Sequence, residues 1–162
     1  MKKYFIFFLF YFNSLNAIEV FCHFEEVHQD GSVQQGLFLL KDEFLRYQYL
    51  DKNLYTIINN KENTFIVSNK NRLTAEPLNK KKEIIQFLID QASLFPKNLD
   101  FIENDIFKAQ IINSQEHEFI KKIIIHSDEM NFNIYFNQCE KKNINRILFK
   151  HNPLQILTDE YN

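Results

Sequence analysis

Apolar and polar residues alternate in short runs that end at polar turns through most of the chain after residue 18. Alternation places successive side chains on opposite faces of a strand and is typical of a sheet with one buried face. Because the runs are joined by short turns, we predict one mainly β (α+β) domain built on an antiparallel meander. The predicted strands are Val20–Val27, Val33–Leu40, Glu43–Tyr49, Leu54–Ile58, Thr64–Ser68, Leu73–Leu78, Ile106–Ile112, Phe119–Ser127, Phe132–Asn137 and Ile144–Lys150.

A segment with helical spacing interrupts this pattern. Ile84, Phe87 and Leu88 recur along one side of Lys80–Gln91, which predicts an amphipathic helix that packs its apolar stripe across the sheet. The stretch Ser93–Asn104, which contains a proline, is predicted to be a loop.

The start of the chain has the layout of a secretory signal peptide. Lys2 and Lys3 precede the apolar run Tyr4–Phe12, and a small residue, Ala17, ends the polar stretch that follows. The apolar run has only about half of the roughly 20 residues that a membrane-spanning helix needs, which makes a permanent anchor the weaker alternative. We therefore predict a signal peptide over residues 1–17 and a single exported domain over residues 18–162.

Cys22 and Cys139 would both lie in an oxidising compartment after export, where two cysteines are able to pair. A disulfide that closes a loop of about 100 residues contributes up to about 4.7 kcal/mol on the chain-entropy model. Two separate thiols are the alternative, because the sequence does not give the distance between the two residues.

Composition excludes several classes of ligand. The chain has 2 Gly and 3 Pro, too few for glycine-rich phosphate loops, and its net charge is −2 without a basic cluster suited to nucleic acid. We therefore expect no nucleotide cofactor and no nucleic-acid partner.

Candidate catalytic and metal-binding residues are few. A strand would point His23 and His28 to opposite faces, which does not suit a shared metal. Glu25 and Glu26 likewise alternate and are interpreted as a solvated strand edge, while His126-Ser127-Asp128 is interpreted as a turn after a strand. We predict that the protein is not an enzyme and binds neither a metal nor a cofactor.

The order of the segments resembles that of the LolA family, the periplasmic carriers of outer-membrane lipoproteins. The residues that carry the resemblance are Phe24-Glu25-Glu26, Gly36-Leu37-Phe38-Leu39, Phe44 to Tyr49 with its central Arg46, Thr56 to Asn60, Phe65-Ile66-Val67, Leu73 to Leu78 and the helix over Ile84 to Ile89.

The resemblance implies an unclosed β-barrel with a helical lid on its concave face and an apolar cavity for acyl chains between them. It implies a periplasmic chaperone without enzymatic activity that carries acylated lipoproteins, or another lipid, from the inner to the outer membrane. An inner-membrane release complex and an outer-membrane acceptor are the implied partners, and we expect a monomer.

The resemblance also assigns roles to particular residues. Arg46 matches the family's arginine, which helps to hold the lid closed until cargo enters. Alternation places Arg46 opposite Leu45, Tyr47 and Tyr49, and we expect it either on the concave side against the lid or on a solvated outer face. The acyl pocket would lie beneath Ile84, Phe87 and Leu88, lined either by Leu45, Tyr47 and Tyr49 or by the opposite face of the same strand.

The chain departs from the family pattern at several points, including the two that follow. Lys41-Asp42 stands where the family has Arg-Pro. The family also has a long amphipathic helix before its first strand, whereas here strand-like sequence follows Ile18 directly. These departures leave open an alternative function, namely a periplasmic interaction or envelope-assembly module of the same fold that carries no lipoprotein.

Overall fold

The alternating segments form ten strands within the part of the chain that the structure describes. The computed structural model describes residues 19–71, 75–78, 87, 101–115, 119–128 and 131–150. The strands are β1 (Glu19–His28), β2 (Val33–Lys41), β3 (Phe44–Tyr49), β4 (Tyr55–Asn60), β5 (Thr64–Ser68), β6 (Ala75–Pro77), β7 (Phe101–Glu103), β8 (Lys108–Asn113), β9 (Ile120–His126) and β10 (Asn131–Lys141). The prediction of a mainly β domain is confirmed.

All ten strands belong to one antiparallel sheet in the order β6, β5, β4, β3, β2, β1, β10, β9, β8, β7. Every pairing joins neighbours in sequence except that between β1 and β10. Two meanders, β1 to β6 and β7 to β10, therefore meet at a single central seam. The outermost strands of the described sheet, β6 and β7, are not paired with each other, so the sheet is open.

A bulge at the seam brings Cys139 beside Cys22. Strict alternation from Phe136, which shares a face with Cys22, would turn Cys139 to the opposite face. The pairing register shifts opposite Cys22, where β10 carries an extra residue, and Gln138 adopts a φ of 50° at this point. Cys139 consequently faces Cys22, and the two form a disulfide with their Cα atoms 4.1 Å apart.

The prediction of a strand over Ile144–Lys150 is wrong. β10 is already paired with β1 on one side and β9 on the other, and both of those strands have a second partner. The chain that leaves β10 therefore has no free strand edge next to it. It instead crosses one face of the sheet and forms a 3₁₀ turn over Arg146–Phe149, capped by the side chain of Asn145, which accepts from the backbone N–H of Ile147.

Salt-bridged side chains hold the start of this crossing segment. Glu19 accepts from the backbone N–H of Ile144 at 2.7 Å, and Lys41 Nζ donates to the carbonyl oxygen of Ile144 at 2.7 Å. Glu19 and Lys41 also pair with each other at 2.7 Å. Lys41, one of the departures from the family pattern, thus connects the end of β2 to the crossing segment.

The predicted loop Ser93–Asn104 is wrong over its last part, since Phe101–Glu103 forms the edge strand β7. Three residues carry little alternation of their own, and β7 exists because it pairs with β8 through a tight turn. In that turn the side chain of Asn104 accepts from the backbone N–H groups of Ile106 and Phe107.

Some predicted elements lie outside the described residues. They include the signal peptide over residues 1–17 and all of the predicted helix over Lys80–Gln91 except Phe87, which is helical and buried. In the part of the chain that is described, no helix is both long enough and apolar enough to cross a membrane.

Replacing Cys22 and Cys139 together by alanine should lower the free energy of unfolding by about 2–5 kcal/mol, because the seam loses its covalent link. Urea denaturation followed by circular dichroism measures this change. Reductant should bring the wild type to the same midpoint and leave the variant unaffected. An unchanged midpoint in the double variant would show that strand pairing alone holds the seam.

Candidate functional site

One face of the sheet, which we call the inner face, carries a continuous layer of buried apolar side chains. The pairing register places them at alternate positions of six neighbouring strands, β3, β2, β1, β10, β9 and β8. They are Leu45, Tyr47 and Tyr49, Phe38 and Leu40, Val20, Cys22 and Phe24, Ile134 and Phe136, Ile123 and Ile125, and Ala109 and Ile111. Leu45, Tyr47 and Tyr49 therefore share one buried surface.

Aromatic rings from separate strands meet on the inner face. Phe38 lies on β2 and Phe119 immediately precedes β9, and β1 and β10 lie between these two strands in the sheet. Their ring centroids nevertheless lie 6.0 Å apart, and both rings contact Phe136 between them, at 5.2 Å and 5.6 Å. Aromatic rings from non-adjacent strands thus converge above the middle of the sheet.

Phe87 is the described residue of the predicted lid helix, and it packs on the inner face. Its side chain is 6% exposed and belongs to the same apolar cluster as Leu45, Tyr47 and Tyr49. Its ring lies 5.2 Å from that of Phe107 at the turn before β8. Ile84 and Leu88, the other predicted lid residues, lie outside the described residues.

A buried carboxylate interrupts the apolar layer near one end of the inner face. Glu26 is 5% exposed, and its Oε2 accepts hydrogen bonds from the hydroxyls of Tyr47 at 2.9 Å and Tyr49 at 2.7 Å. Its Oε1 lies 3.1 Å from Nε2 of His28. We call Glu26, His28, Tyr47 and Tyr49 the Glu26 cluster.

The interpretation of Glu25 and Glu26 as a solvated edge is therefore wrong for Glu26. β1 lies inside the sheet, so its inner-face side chains are flanked by those of β2 on one side and β10 on the other. Glu25 points to the outer face and bonds the exposed side chain of Gln35 at 2.8 Å. Alternation along β1 and β3 signals that Glu26 shares a face with Phe24 and that Tyr47 and Tyr49 share a face, but the sequence does not reveal that β1 is central.

Burial sets the acid–base behaviour of the two tyrosines that donate to Glu26. Removal from water raises the pKa of Tyr47 well above its ordinary value of 10.0, and the negative charge of Glu26 raises it further. The same two causes, in the same order, raise the pKa of Tyr49. Both hydroxyls therefore remain protonated, and both are available as donors.

Gly36 makes the aromatic part of this site possible. It lies opposite Phe24 on β1, and a Cβ at this position would overlap the ring of Phe24 and the carbonyl oxygen of Gln48. Without a side chain at Gly36, the Phe24 ring lies against β2 and stacks on Tyr47 with centroids 3.9 Å apart. The glycine in the quoted Gly36-Leu37-Phe38-Leu39 segment is thus a packing requirement of the inner face.

Arg46 lies on the opposite face of the sheet, the outer face, and is 3% exposed. Its Nε donates to Oε1 of Gln48 at 2.9 Å, and its Nη1 donates to the carbonyl oxygen of Leu148 at 2.7 Å. Leu148 belongs to the 3₁₀ turn, whose Phe149 is buried with Leu39 and neighbouring outer-face residues.

Both expectations for Arg46 need correction. It does not share the inner face with Phe87, because it alternates with Tyr47 along β3, and it is not solvated, because the 3₁₀ turn covers it. Arg46 does bond a backbone carbonyl, as its guanidinium donors allow. That carbonyl belongs to the C-terminal crossing segment and not to a lid.

The remaining polar candidates do not assemble into a metal centre. Across the described ranges there is no group of three or more His, Cys, Asp or Glu side chains able to hold a metal ion. His126 ends β9, and its Nδ1 lies 3.0 Å from Oδ1 of Asn131 at the start of β10. This contact joins the end of β9 to the start of β10 beside the turn of their hairpin.

The chain matches no family model, and comparison with the curated proteins gives no match. The likeness to the LolA family therefore depends on the residues quoted above. The disulfide and the inner face are observations on this chain alone.

Replacing Arg46 by leucine should lower the free energy of unfolding by about 1–3 kcal/mol, because Leu148 and Gln48 lose a charged donor inside a buried site. Arg146→Leu is the matched control, since Arg146 lies in the same turn but is exposed, with Nη2 3.3 Å from Oδ2 of Asp42 and its guanidinium over the ring of Phe44. Its effect should stay below about 0.5 kcal/mol. Chemical denaturation compares the two variants, and equal losses would contradict the buried role of Arg46.

Stability should fall as pH rises above about 10, by about 1.4 kcal/mol per pH unit for each of Tyr47 and Tyr49. The unfolded tyrosines lose their protons near 10.0, whereas the folded ones, with raised pKa, keep theirs. The stabilisation that comes from the raised tyrosine pKa values in the folded protein is therefore complete below pH 10, and it is lost as the pH rises above 10. Denaturation at several alkaline pH values measures the slope, which Tyr49→Phe should reduce; an identical slope would contradict this assignment.

Proposed function

We propose that this chain is an exported carrier that holds acyl chains against the inner face of its open sheet. Its cargo is an acylated lipoprotein, which it takes from a release complex at the inner membrane to an acceptor at the outer membrane. The cargo and both partners come from the likeness to the LolA family, and the binding surface comes from the fold.

The observation that carries the proposal is the continuous apolar layer of the inner face. Six strands contribute to it, and aromatic rings such as those of Phe38, Phe119 and Phe136 converge at its centre. A mostly apolar lining with few polar groups is the usual composition of a site for a small apolar ligand.

Phe87 is the residue that an acyl chain would displace. It is buried on the inner face against Phe107 and is the described part of the segment that the sequence predicts to be a lid. Moving a phenylalanine from an apolar site into water costs about 1.5–3 kcal/mol, and an acyl chain that occupies the vacated surface offsets that cost. Binding and opening are then linked, as a reversible carrier requires.

Arg46 has a different part in this proposal from the one that the family resemblance implies. Its bond to Leu148 secures the crossing segment on the outer face, away from the acyl chains. The shape of β3, which presents Leu45 and Tyr47 to the ligand on its other face, depends on that support. Arg46 is thus a structural residue behind the binding surface.

Export is supported by two features that are independent of each other. The apolar run after Lys2 and Lys3 has the length and flanks of a cleaved signal. The disulfide between Cys22 and Cys139 is a type of bond that persists in oxidising compartments such as the periplasm.

An envelope-assembly module is the second candidate, and exposed apolar residues near β7 favour it. Phe101 and Ile106 are 54% and 51% exposed, and they lie beside an edge of the described sheet. An exposed edge with apolar side chains is suited to pair with a strand of another protein.

The folded wild-type protein should bind a fluorescent fatty-acyl probe, and a diacylated lipopeptide should displace it. Phe87→Ala should bind the probe about tenfold more tightly, because less apolar contact has to be broken before the probe enters. Fluorescence titration of the purified exported protein measures both affinities.

Phe101→Ala is the matched control for that titration, since it removes an exposed phenylalanine and should leave probe affinity unchanged. Failure of the folded wild type to bind any acyl probe would contradict the carrier proposal. A stable complex with an envelope protein that is lost in Phe101→Ala would then identify the interaction module.

A further inference from the structure

The Glu26 cluster lies near one end of the inner face, where neighbouring side chains are partly exposed. Glu26 itself is buried, while the side chain of His28 beside it is 30% exposed. Tyr55 at the start of β4 and Phe132 near the start of β10 are half-buried at the same end. The partly exposed side chain of His28 therefore lies between the buried carboxylate and solvent.

The two carboxylate oxygens of Glu26 have different neighbours. Oε2 accepts both tyrosine hydroxyls, whereas Oε1 faces Nε2 of His28 at 3.1 Å. That Nε2 is buried and makes no hydrogen bond, so the ring is close to the carboxylate without being aligned to donate to it. Oε1 consequently accepts no hydrogen bond from the described residues and lies against the partly exposed ring of His28.

The charge of Glu26 is poorly compensated. His28 is the only basic side chain that pairs with it in the part of the chain that the structure describes, and a histidine carries a full charge only when protonated. Two neutral hydroxyls supply hydrogen bonds but no positive charge. A buried carboxylate with these partners attracts a cation and repels anionic groups such as phosphate or carboxylate.

Aromatic side chains cluster beside the carboxylate. Tyr47 and Tyr49 lie with ring centroids 5.4 Å apart, Tyr49 and Tyr55 5.2 Å apart, and His28 and Phe132 5.9 Å apart. The negative faces of aromatic rings attract ammonium groups, and a carboxylate among such rings adds both a full charge and a hydrogen-bond acceptor.

We propose that the Glu26 cluster is a binding site for an ammonium group, carried by an amphiphile whose apolar chain lies along the inner face. Oε1 of Glu26 accepts from the ammonium, the rings of Tyr49, Tyr55 and Phe132 surround it, and His28 moves aside at the rim. This inference builds on the proposed function and adds the class of ligand, an acylated molecule with a positively charged amine beside its chains.

A comparison of head groups on one chain length tests the site in the wild-type protein. In this experiment the affinities of decylammonium, decanol and decanoate are measured by displacement of the fluorescent acyl probe at neutral pH. Each amphiphile is used below its micelle concentration. We expect decylammonium to bind about tenfold more tightly than decanol, because a charge-assisted hydrogen bond to a buried carboxylate adds to the chain contacts. Decanoate should bind more weakly than decanol.

Two neighbouring glutamates provide the matched variants. Glu26→Gln keeps the shape and the tyrosine bonds but removes the charge, so the preference for ammonium over alcohol should disappear. Glu25→Gln removes a charge from the adjacent outer-face residue and should retain the full preference. Thermal unfolding of both variants checks that they are folded, and the wild-type comparison needs neither variant.

The outcomes separate this inference from the carrier proposal. If decanol binds the wild type as tightly as decylammonium, or if Glu26→Gln retains the preference, the ammonium site is refuted and the carrier proposal stands. If none of the three amphiphiles binds, both are refuted.

Two sources of the ammonium group remain to be distinguished once it binds. A diacylated lipopeptide with a free amino terminus should bind about tenfold more tightly than its N-acetylated form if the amine belongs to the lipopeptide. Equal affinity for both peptides, together with preference for an ethanolamine over a glycerol phospholipid, would assign the amine to a lipid head group.

Discussion

The pairing of β1 with β10 is the contact on which the rest of the structure depends. Every other pairing in the described sheet joins strands that follow each other in the chain and closes only a short turn. The β1–β10 pairing alone unites the two meanders, and it brings together the two strands that carry Cys22 and Cys139. Glu19 and Lys41 add to the same junction by holding the segment that leaves β10.

Each face of the described sheet contains one buried charged group. Glu26 lies on the inner face with two tyrosine donors, and Arg46 lies on the outer face with acceptors from Gln48 and Leu148. The backbone of the sheet separates the two charges, so neither compensates the other directly. Arg46 is bound to a segment of its own chain, while Oε1 of Glu26 lies against the ring of His28.

The alternation of apolar and polar residues was enough to predict those strands that pair with the next strand along the chain. Alternation located the strands of the first meander to within one or two residues, and Thr64–Ser68 coincides with β5. It failed where the sheet order decides the outcome: Ile144–Lys150 has strand-like composition but no edge to join, and Phe101–Glu103 has little pattern but pairs at an edge. The burial of Glu26 and Arg46 was missed for the same reason, since it depends on which strands become central and on where the C-terminal segment crosses.

The position of the first strand also constrains the order in which the chain acquires its structure. The meander β1 to β6 comes entirely from the first half of the sequence and contains only local pairings, so it is able to form as soon as that half is available. Until the last strand arrives, one side of β1 exposes unpaired backbone groups beside Phe24, which is the kind of edge that promotes aggregation. A chain that emerges from a ribosome or a translocation pore amino terminus first passes through this state, and its duration is set by the time needed to deliver β10.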